Sequence, residues 1–177
     1  GSPLRGFPAE VLGLRLVGAY GQVTAERHEA PGAQWLELAH DGWEPAFGFR
    51  HERRLYLDAE ADGLRGEDRL LGSATPGPAS RRFVPFRVRF HLHPGASALI
   101  ARDKKSVLLR AEGDEVGWWL RNDALEGAIG TSVHFQGGEA RRSQQIVLRG
   151  QARLDAGAAV RWKLTRAGRV DEPAAPA

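Results

Sequence analysis

The sequence of 177 residues contains no cysteine and no methionine. Without cysteine, the chain can form neither a disulfide framework nor a thiolate metal site or nucleophile. Without methionine it has no natural start residue, and it opens with Gly1 and Ser2, a pair that commonly remains after a cloning site. We therefore predict that residues 1–2 are an expression scar and that the chain is a segment excised from a larger protein.

Long apolar runs and familiar catalytic motifs are missing as well. The sequence has no basic-then-apolar leader and no run of about 18 apolar residues, so no membrane partner is predicted. The net charge of +3, from 25 Lys and Arg against 22 Asp and Glu, is too small to indicate nucleic-acid binding. There is no phosphate-binding Gly loop, Gly-x-Ser-x-Gly elbow or His-Glu-x-x-His motif. We predict that the chain holds no complete enzyme active site.

Short runs in which apolar and polar residues alternate fill most of the sequence. About a dozen such runs, separated by Gly, Pro, Asp and Asn, are typical of an all-β fold, and we predict an antiparallel β-sandwich. Residues 3–168 are predicted to form this single domain, and the Pro/Ala-rich residues 169–177 a disordered tail. No helix of ten residues is indicated, although residues 122–130 could hold a short helical turn.

Three further segments are predicted to be loops or turns. Residues 72–80, with two prolines and two glycines, are predicted to form a flexible loop. Gly-Glu-Asp at 66–68 and Gly-Gly-Glu at 137–139 are predicted to be turns.

The clearest predicted strand is residues 86–93, bounded by Pro85 and Pro94. Its apolar positions share one face, and the other face carries a row of basic or potentially basic side chains, Arg87, Arg89, His91 and His93. This row could bind carboxylate or sulfate groups of an acidic ligand, and the two histidines could share a metal ion. The alternative is an Arg-rich outer face paired with acidic residues of neighbouring strands.

His40 and Trp43 flank the predicted turn at Asp41 and Gly42. His40 is a candidate metal ligand or sugar contact, and Trp43 a candidate substrate-binding platform. The alternatives are a turn histidine that is hydrogen-bonded to the backbone and a tryptophan that packs in the core. His51 could take the same roles as His40.

Several segments resemble, in order, the C-terminal domain of bacterial heparinase II/III-like proteins. The resemblance covers about residues 10–165 and lies in ordered agreement rather than in one motif. It is carried by residues 39–43, 47–57, 66–70, 89–94, 105–110, 117–118 and 141–148.

This resemblance implies a β-sandwich packed against an N-terminal helical toroid in an enzyme that cleaves acidic polysaccharide by β-elimination. The family's catalytic Tyr and Asn belong to the helical domain, which is absent here, and its His-Asn-Thr-like strand is absent too. No catalytic residue is therefore carried over, whereas His40 matches the family's Ala-His-Asp-Gly-aromatic segment. A divalent metal such as zinc is implied only for the parent protein, for which a periplasmic or secreted location is favoured.

Three functions follow as hypotheses. The first is a non-catalytic domain that lines the substrate cleft of a polysaccharide lyase and stabilises its toroid. The second is an independent module that binds acidic glycans through the row from Arg87 to His93. The third is a structural domain that mediates oligomer contacts.

Overall fold

The computed structural model describes residues 21–60, 63–72 and 82–167. These form eleven strands and one short helix, in the following order: β1 (Val23–Ala30), β2 (Ala33–His40), α1 (Glu44–Phe47), β3 (Phe49–Asp58), β4 (Gly63–Gly72), β5 (Phe83–His91), β6 (Ala96–Ile100), β7 (Ser106–Ala111), β8 (Trp118–Asn122), β9 (Glu126–Gln136), β10 (Glu139–Arg153) and β11 (Ala158–Arg166).

The strands make two antiparallel sheets, which confirms the predicted all-β sandwich. The large sheet has eight strands in the order β1-β2-β3-β4-β11-β8-β7-β6, and the small sheet has the order β5-β10-β9. Most neighbours in the large sheet follow each other in sequence. The exception is β11, which returns from the end of the chain and inserts between β4 and β8.

The core lies between the two sheets. Ile146 and Leu148 of β10 and Val107 of β7 are its largest fully buried side chains. Phe86, Phe90 and Leu92 pack against the same cluster and Val88 belongs to it, as their alternation predicted. Since successive side chains of a strand point to opposite faces, each sheet has an inner face toward this core and an outer face away from it.

Strand boundaries differ from the sequence-based predictions at both ends of β5, which ends at His91 and not at His93, and inside β4. Pro85 does not precede β5 but lies inside it, which is tolerated because β5 is an edge strand of the small sheet and needs no amide hydrogen on its free side. The Gly-Glu-Asp segment at 66–68 is not a turn: it forms the middle of β4, paired on both sides.

Other local predictions have mixed outcomes. No helix occurs in residues 122–130, where β8 ends at Asn122 and β9 begins at Glu126. Gly137 and Gly138 do form the predicted turn, both with positive φ. Residues 1–2, the tail at 169–177 and all of the predicted loop after Gly72 lie outside the described residues. In the described part of the chain, no helix is long and apolar enough to span a membrane.

Candidate functional site

A cluster of polar and aromatic side chains lies on the inner face of the large sheet. The register places His40 of β2 directly opposite His51 of β3, and Arg53 of β3 directly opposite Asp68 of β4. On the other side of β4, Trp162 of β11 lies opposite Gly66, and because that glycine has no side chain the indole can extend over β4 toward Asp68. We call His40, His51, Arg53, Asp68 and Trp162 the polar cluster.

Asp68 is the centre of the polar cluster. Only 3% of its side chain is exposed, and it accepts hydrogen bonds from three residues. Arg53 Nε donates to Oδ1 at 2.8 Å, His51 Nε2 donates to Oδ1 at 2.9 Å, and Trp162 Nε1 donates to Oδ2 at 3.0 Å. Such a buried carboxylate is stable only when charge and hydrogen bonds replace the water it has lost.

The two histidines extend this hydrogen-bond network, and the charge of Asp68 determines which ring nitrogen donates. Since the ionised Asp68 can only accept, His51 carries a proton on Nε2, and its Nδ1 can then accept a hydrogen bond from Nε2 of a neutral His40 at 3.2 Å. Burial and the nearby His51 lower the pKa of His40, with a weaker opposing effect from Asp41. His40 is therefore neutral at physiological pH.

The charge state of Asp68 is set by opposing effects. Burial raises the pKa of its carboxyl, but hydrogen bonds from His51, Arg53 and Trp162, together with the positive charge of Arg53, outweigh it and leave the pKa below its ordinary value. Asp68 and Arg53 thus form an ion pair, and the neutral His40 adds no charge to the polar cluster.

Aromatic rings enclose the polar cluster. The guanidinium of Arg53 lies 5.7 Å from the ring centre of Phe90, and Phe90 meets Trp162 edge-on at 5.0 Å, which connects the cluster to β5 of the small sheet. Trp43 covers the histidines, with ring centres 4.9 Å from His40 and 5.2 Å from His51. Its buried Nε1 has no hydrogen-bond partner among the described residues. Trp43 therefore packs at this site while half-buried, and its role as a substrate-binding platform stays a prediction.

The polar cluster is arranged for hydrogen bonding within the protein, and a metal ion at His40 stays a prediction. Within the described residues, no group of three or more His, Asp or Glu side chains is placed to hold one. His51 is hydrogen-bonded through both ring nitrogens, and Arg53 supplies the positive charge beside Asp68. His40 is hydrogen-bonded to His51, which in turn contacts Asp68. The three side chains form a chain of hydrogen bonds and do not converge on one point.

The predicted row on β5 lies on the outer face of the small sheet, and three of its four members contact other side chains. Arg89 donates to Gln145 at 2.9 Å, and His91 Nδ1 is 2.7 Å from Ser132 Oγ. His93 lies beyond the end of β5, where its ring meets that of His134 at 5.1 Å. Arg87 lies opposite Arg149 of β10. The row therefore does not converge on one point, and the structure does not bring it near His40 or Trp43.

Three members of the polar cluster were missed by sequence reasoning. Asp68 was missed because the Gly-Glu-Asp segment at 66–68 was predicted to be a turn. Arg53 and Trp162 were missed because nothing in the sequence distinguishes them from the other Arg and Trp residues. The available signal was alternation in 49–57, which puts His51 and Arg53 on the core-facing side of a strand. A charged side chain on such a face requires a buried counterion.

Comparison with known proteins adds a family and a fold. The family described as "Heparinase II/III-like, C-terminal" matches residues 7–163. FtsZ-localized protein C of Caulobacter vibrioides is 52% identical over 170 residues, which are 94% of this chain and 29% of that protein. The chain thus spans less than a third of this relative.

Solved structures share the fold at much lower identity. Heparan sulfate lyase HepC from Pedobacter heparinus has a TM-score of 0.65 and 9% identity, and the match covers 86% of this chain and 23% of that one. A heparinase III structure has a TM-score of 0.62 and 12% identity, covering 82% of this chain and 21% of that one.

Proposed function

Because the chain belongs to the heparinase II/III-like C-terminal domain family, we propose that it is a non-catalytic β-sandwich domain of a longer polysaccharide lyase. In this proposal it packs against an N-terminal helical domain of the same chain and forms one wall of a cleft for acidic polysaccharide. The length of the matched proteins, of which the chain covers 21–29%, supports the presence of a further domain.

The main support for a non-catalytic role is that the hydrogen-bonding atoms at the centre of the polar cluster are already occupied by protein groups. A general acid or base must come within hydrogen-bond distance of a substrate proton. In the polar cluster both nitrogens of His51 and both oxygens of Asp68 are already bound to protein groups, and Asp68 is buried. These groups connect β2, β3, β4 and β11, so their role is to hold the large sheet together.

The test compares the 177-residue chain with the longer protein. Each is mixed with heparin, heparan sulfate or alginate, and β-elimination is followed by the ultraviolet absorbance of the unsaturated uronate product. The expected result is product formation by the longer protein and none by the chain. Robust turnover by the chain alone would overturn the proposal.

A second candidate function is favoured by the 52% identity with an FtsZ-localized protein. In this reading the domain serves an FtsZ-containing assembly, as a structural module rather than as part of a lyase. The test follows a fluorescent fusion of the longer protein, with and without this domain, in cells with labelled FtsZ. Loss of co-localisation on deletion supports this function, and unchanged co-localisation contradicts it.

Zinc in the longer protein, with His40 as a ligand, stays a prediction. In the geometry described above, no three His, Asp or Glu side chains among the described residues are placed to hold a metal ion, so His40 would need ligands from elsewhere in the longer protein. Measuring the metal content of the purified longer protein, with a His40→Gln variant as the control, tests it.

A further inference from the structure

Three cations lie directly opposite one another on the outer face of the large sheet. Arg65 of β4 pairs in register with Lys163 of β11, and Lys163 pairs with Arg121 of β8. All three side chains are exposed. Like charges that face each other on neighbouring strands destabilise a sheet. We call Arg65, Lys163 and Arg121 the cation row.

Neighbouring charges on the same face are neutralised, whereas the cation row is not. Two residues further along the strands, Glu37 lies 3.7 Å from Arg54, and Glu67 lies 3.0 Å from Arg161. In residues 21–60, 63–72 and 82–167, by contrast, no acidic side chain forms an ion pair with a member of the cation row. The acidic side chains nearby, Glu37 and Glu67, are already paired with other arginines, so the cation row faces solvent without an ionic partner from the described residues.

Two aromatic residues continue the cation row in register. Tyr56 of β3 lies opposite Arg65, and Trp35 of β2 lies opposite Tyr56. The guanidinium of Arg65 is 5.9 Å from the ring centre of Tyr56. From Trp35 to Arg121 the register crosses five neighbouring strands, a distance of about 19 Å at the usual strand spacing.

These residues line one depression in the sheet. Its volume is about 630 Å³, and its lining includes Trp35, Tyr56 and all three members of the cation row. This volume is within the usual range for small-ligand sites. The depression lies on the opposite face of the large sheet from the polar cluster, so it is a separate site.

We propose that this depression binds an acidic oligosaccharide. Its carboxylate or sulfate groups would contact Arg65, Lys163 and Arg121, and the apolar face of a sugar ring would stack on Tyr56 or Trp35. The exposed cation row, which has no acidic partner among the described residues, suits an anionic ligand with several charges along its length. The choice of a glycan over an acidic peptide rests on the proposed function and on the two aromatic rings in line with the charges.

The cation row is a better candidate than the row predicted from sequence. Arg89 and His91 on the small sheet already have hydrogen-bond partners in Gln145 and Ser132. The two rows lie on outer faces of different sheets, so substitutions can separate them.

A matched pair of double variants tests the site. Arg65→Gln with Lys163→Gln removes two charges from the cation row, and Arg87→Gln with Arg89→Gln removes two from the small sheet. Affinity of the 177-residue chain for a heparin hexasaccharide is measured by calorimetry at about 0.15 M salt, where exposed charges are screened beyond roughly 8 Å. The expected result is a loss of about tenfold or more for the first variant and little change for the second. The reverse order, or no binding by the unmodified chain, overturns the proposal.

The stability of the variant distinguishes a role in binding from a role in holding the fold together. Removing opposed like charges relieves repulsion, so the Arg65→Gln, Lys163→Gln chain should unfold at the same or a higher urea concentration than the unmodified chain. If its affinity and its stability fall together, the cation row is structural and the proposal fails.

Two further measurements identify the ligand class. Tyr56→Leu, which keeps every charge, should weaken binding of the hexasaccharide but not binding of polyglutamate. If polyglutamate of equal charge binds as tightly as the hexasaccharide, the site takes an acidic peptide and the glycan proposal is wrong. Lyase activity of the longer protein is measured separately. If the chain binds the hexasaccharide but the longer protein forms no unsaturated product, the binding site is supported and the proposed lyase function is contradicted.

Discussion

Asp68 is the residue on which the polar cluster depends, because its carboxylate is the common acceptor for Arg53, His51 and Trp162. Asp68→Asn keeps the size of the side chain but removes the charge that neutralises Arg53. Breaking one partner of a buried ion pair costs about 3 kcal/mol or more. We expect the urea midpoint of unfolding to fall by a corresponding amount.

Glu67→Gln is the control for this substitution, since Glu67 is the preceding residue of β4 and pairs with Arg161 on the outer face. With Arg161 largely exposed, that ion pair should contribute less than about 1 kcal/mol. Equal losses for the two variants would show that burial of Asp68 is not what makes its ion pair important.

His40 makes the stability of the chain depend on pH. Its pKa is lowered in the folded state, so near and below the ordinary value of about 6.5 the unfolded chain binds more protons than the folded one. This contribution to stability is therefore complete above about pH 6.5 and is lost as the pH falls toward the folded pKa. Asp68, whose pKa is also lowered, adds a second loss below about pH 4.

The measurement is the urea midpoint at about pH 7.5 and about pH 5.5. We expect a lower midpoint at the acidic pH, and a smaller decrease in His40→Gln, which keeps a hydrogen-bond donor for His51 but does not titrate. The same decrease in both chains would assign the effect to other groups.

At the scale of elements, close approach between β4 and β11 is made possible by Gly66. A Cβ atom at this position would lie 2.1 Å from Trp162 Cζ2, so an alanine must displace the indole. Because Trp162 also donates to Asp68, Gly66→Ala should disturb both packing and the polar cluster. We expect a loss of about 1–3 kcal/mol in the free energy of unfolding, measured by urea denaturation.

Gly130→Ala in β9 is the matched control. There the nearest atom to an added Cβ is Gln145 Cγ at 3.5 Å, an ordinary contact. Alanine at this position should be neutral or slightly stabilising, because glycine costs conformational entropy in a strand. A large loss here as well would mean that strand propensity, and not contact with Trp162, governs the effect.

The alternation of apolar and polar residues predicted the strands well, but it did not predict which strands pair with each other. Alternation in residues 86–92 correctly assigned Val88 and Phe90 to the core, because side-chain direction in a strand depends only on position. It could not show that β11 pairs with β4, since that contact joins residues far apart in sequence. The polar cluster depends on this pairing, so Asp68 and Trp162 could not be joined from sequence alone.

For the whole molecule, the proteins that share the fold and the protein with high sequence identity suggest different functions. The solved lyases share the fold at 9–13% identity, whereas the FtsZ-localized relative is 52% identical. A fold supports many functions, which are decided by individual sites. The cation row is the site that we propose here, and ligand measurements on it address a question that the shared fold leaves open.

The position of β11 makes the fold depend on the last strand of the chain. The large sheet consists of one block, β1 to β4, and another, β6 to β8, and β11 pairs with the nearest strand of each. Val160 and Trp162 of β11 also belong to the core. A chain that ends at Gly157 therefore loses the connection between the blocks and part of the core at once.

We expect the chain ending at Gly157 to show no cooperative urea transition and to be degraded rapidly by a protease. A chain ending at Ala167 keeps all eleven strands and should unfold like the full chain, which separates the loss of β11 from the loss of the residues after it. Since the core between the sheets uses residues from both blocks, neither block can bury its inner face alone. A cooperative transition at an unchanged urea midpoint in the shorter chain would show that β5, β9 and β10 suffice to hold the blocks together.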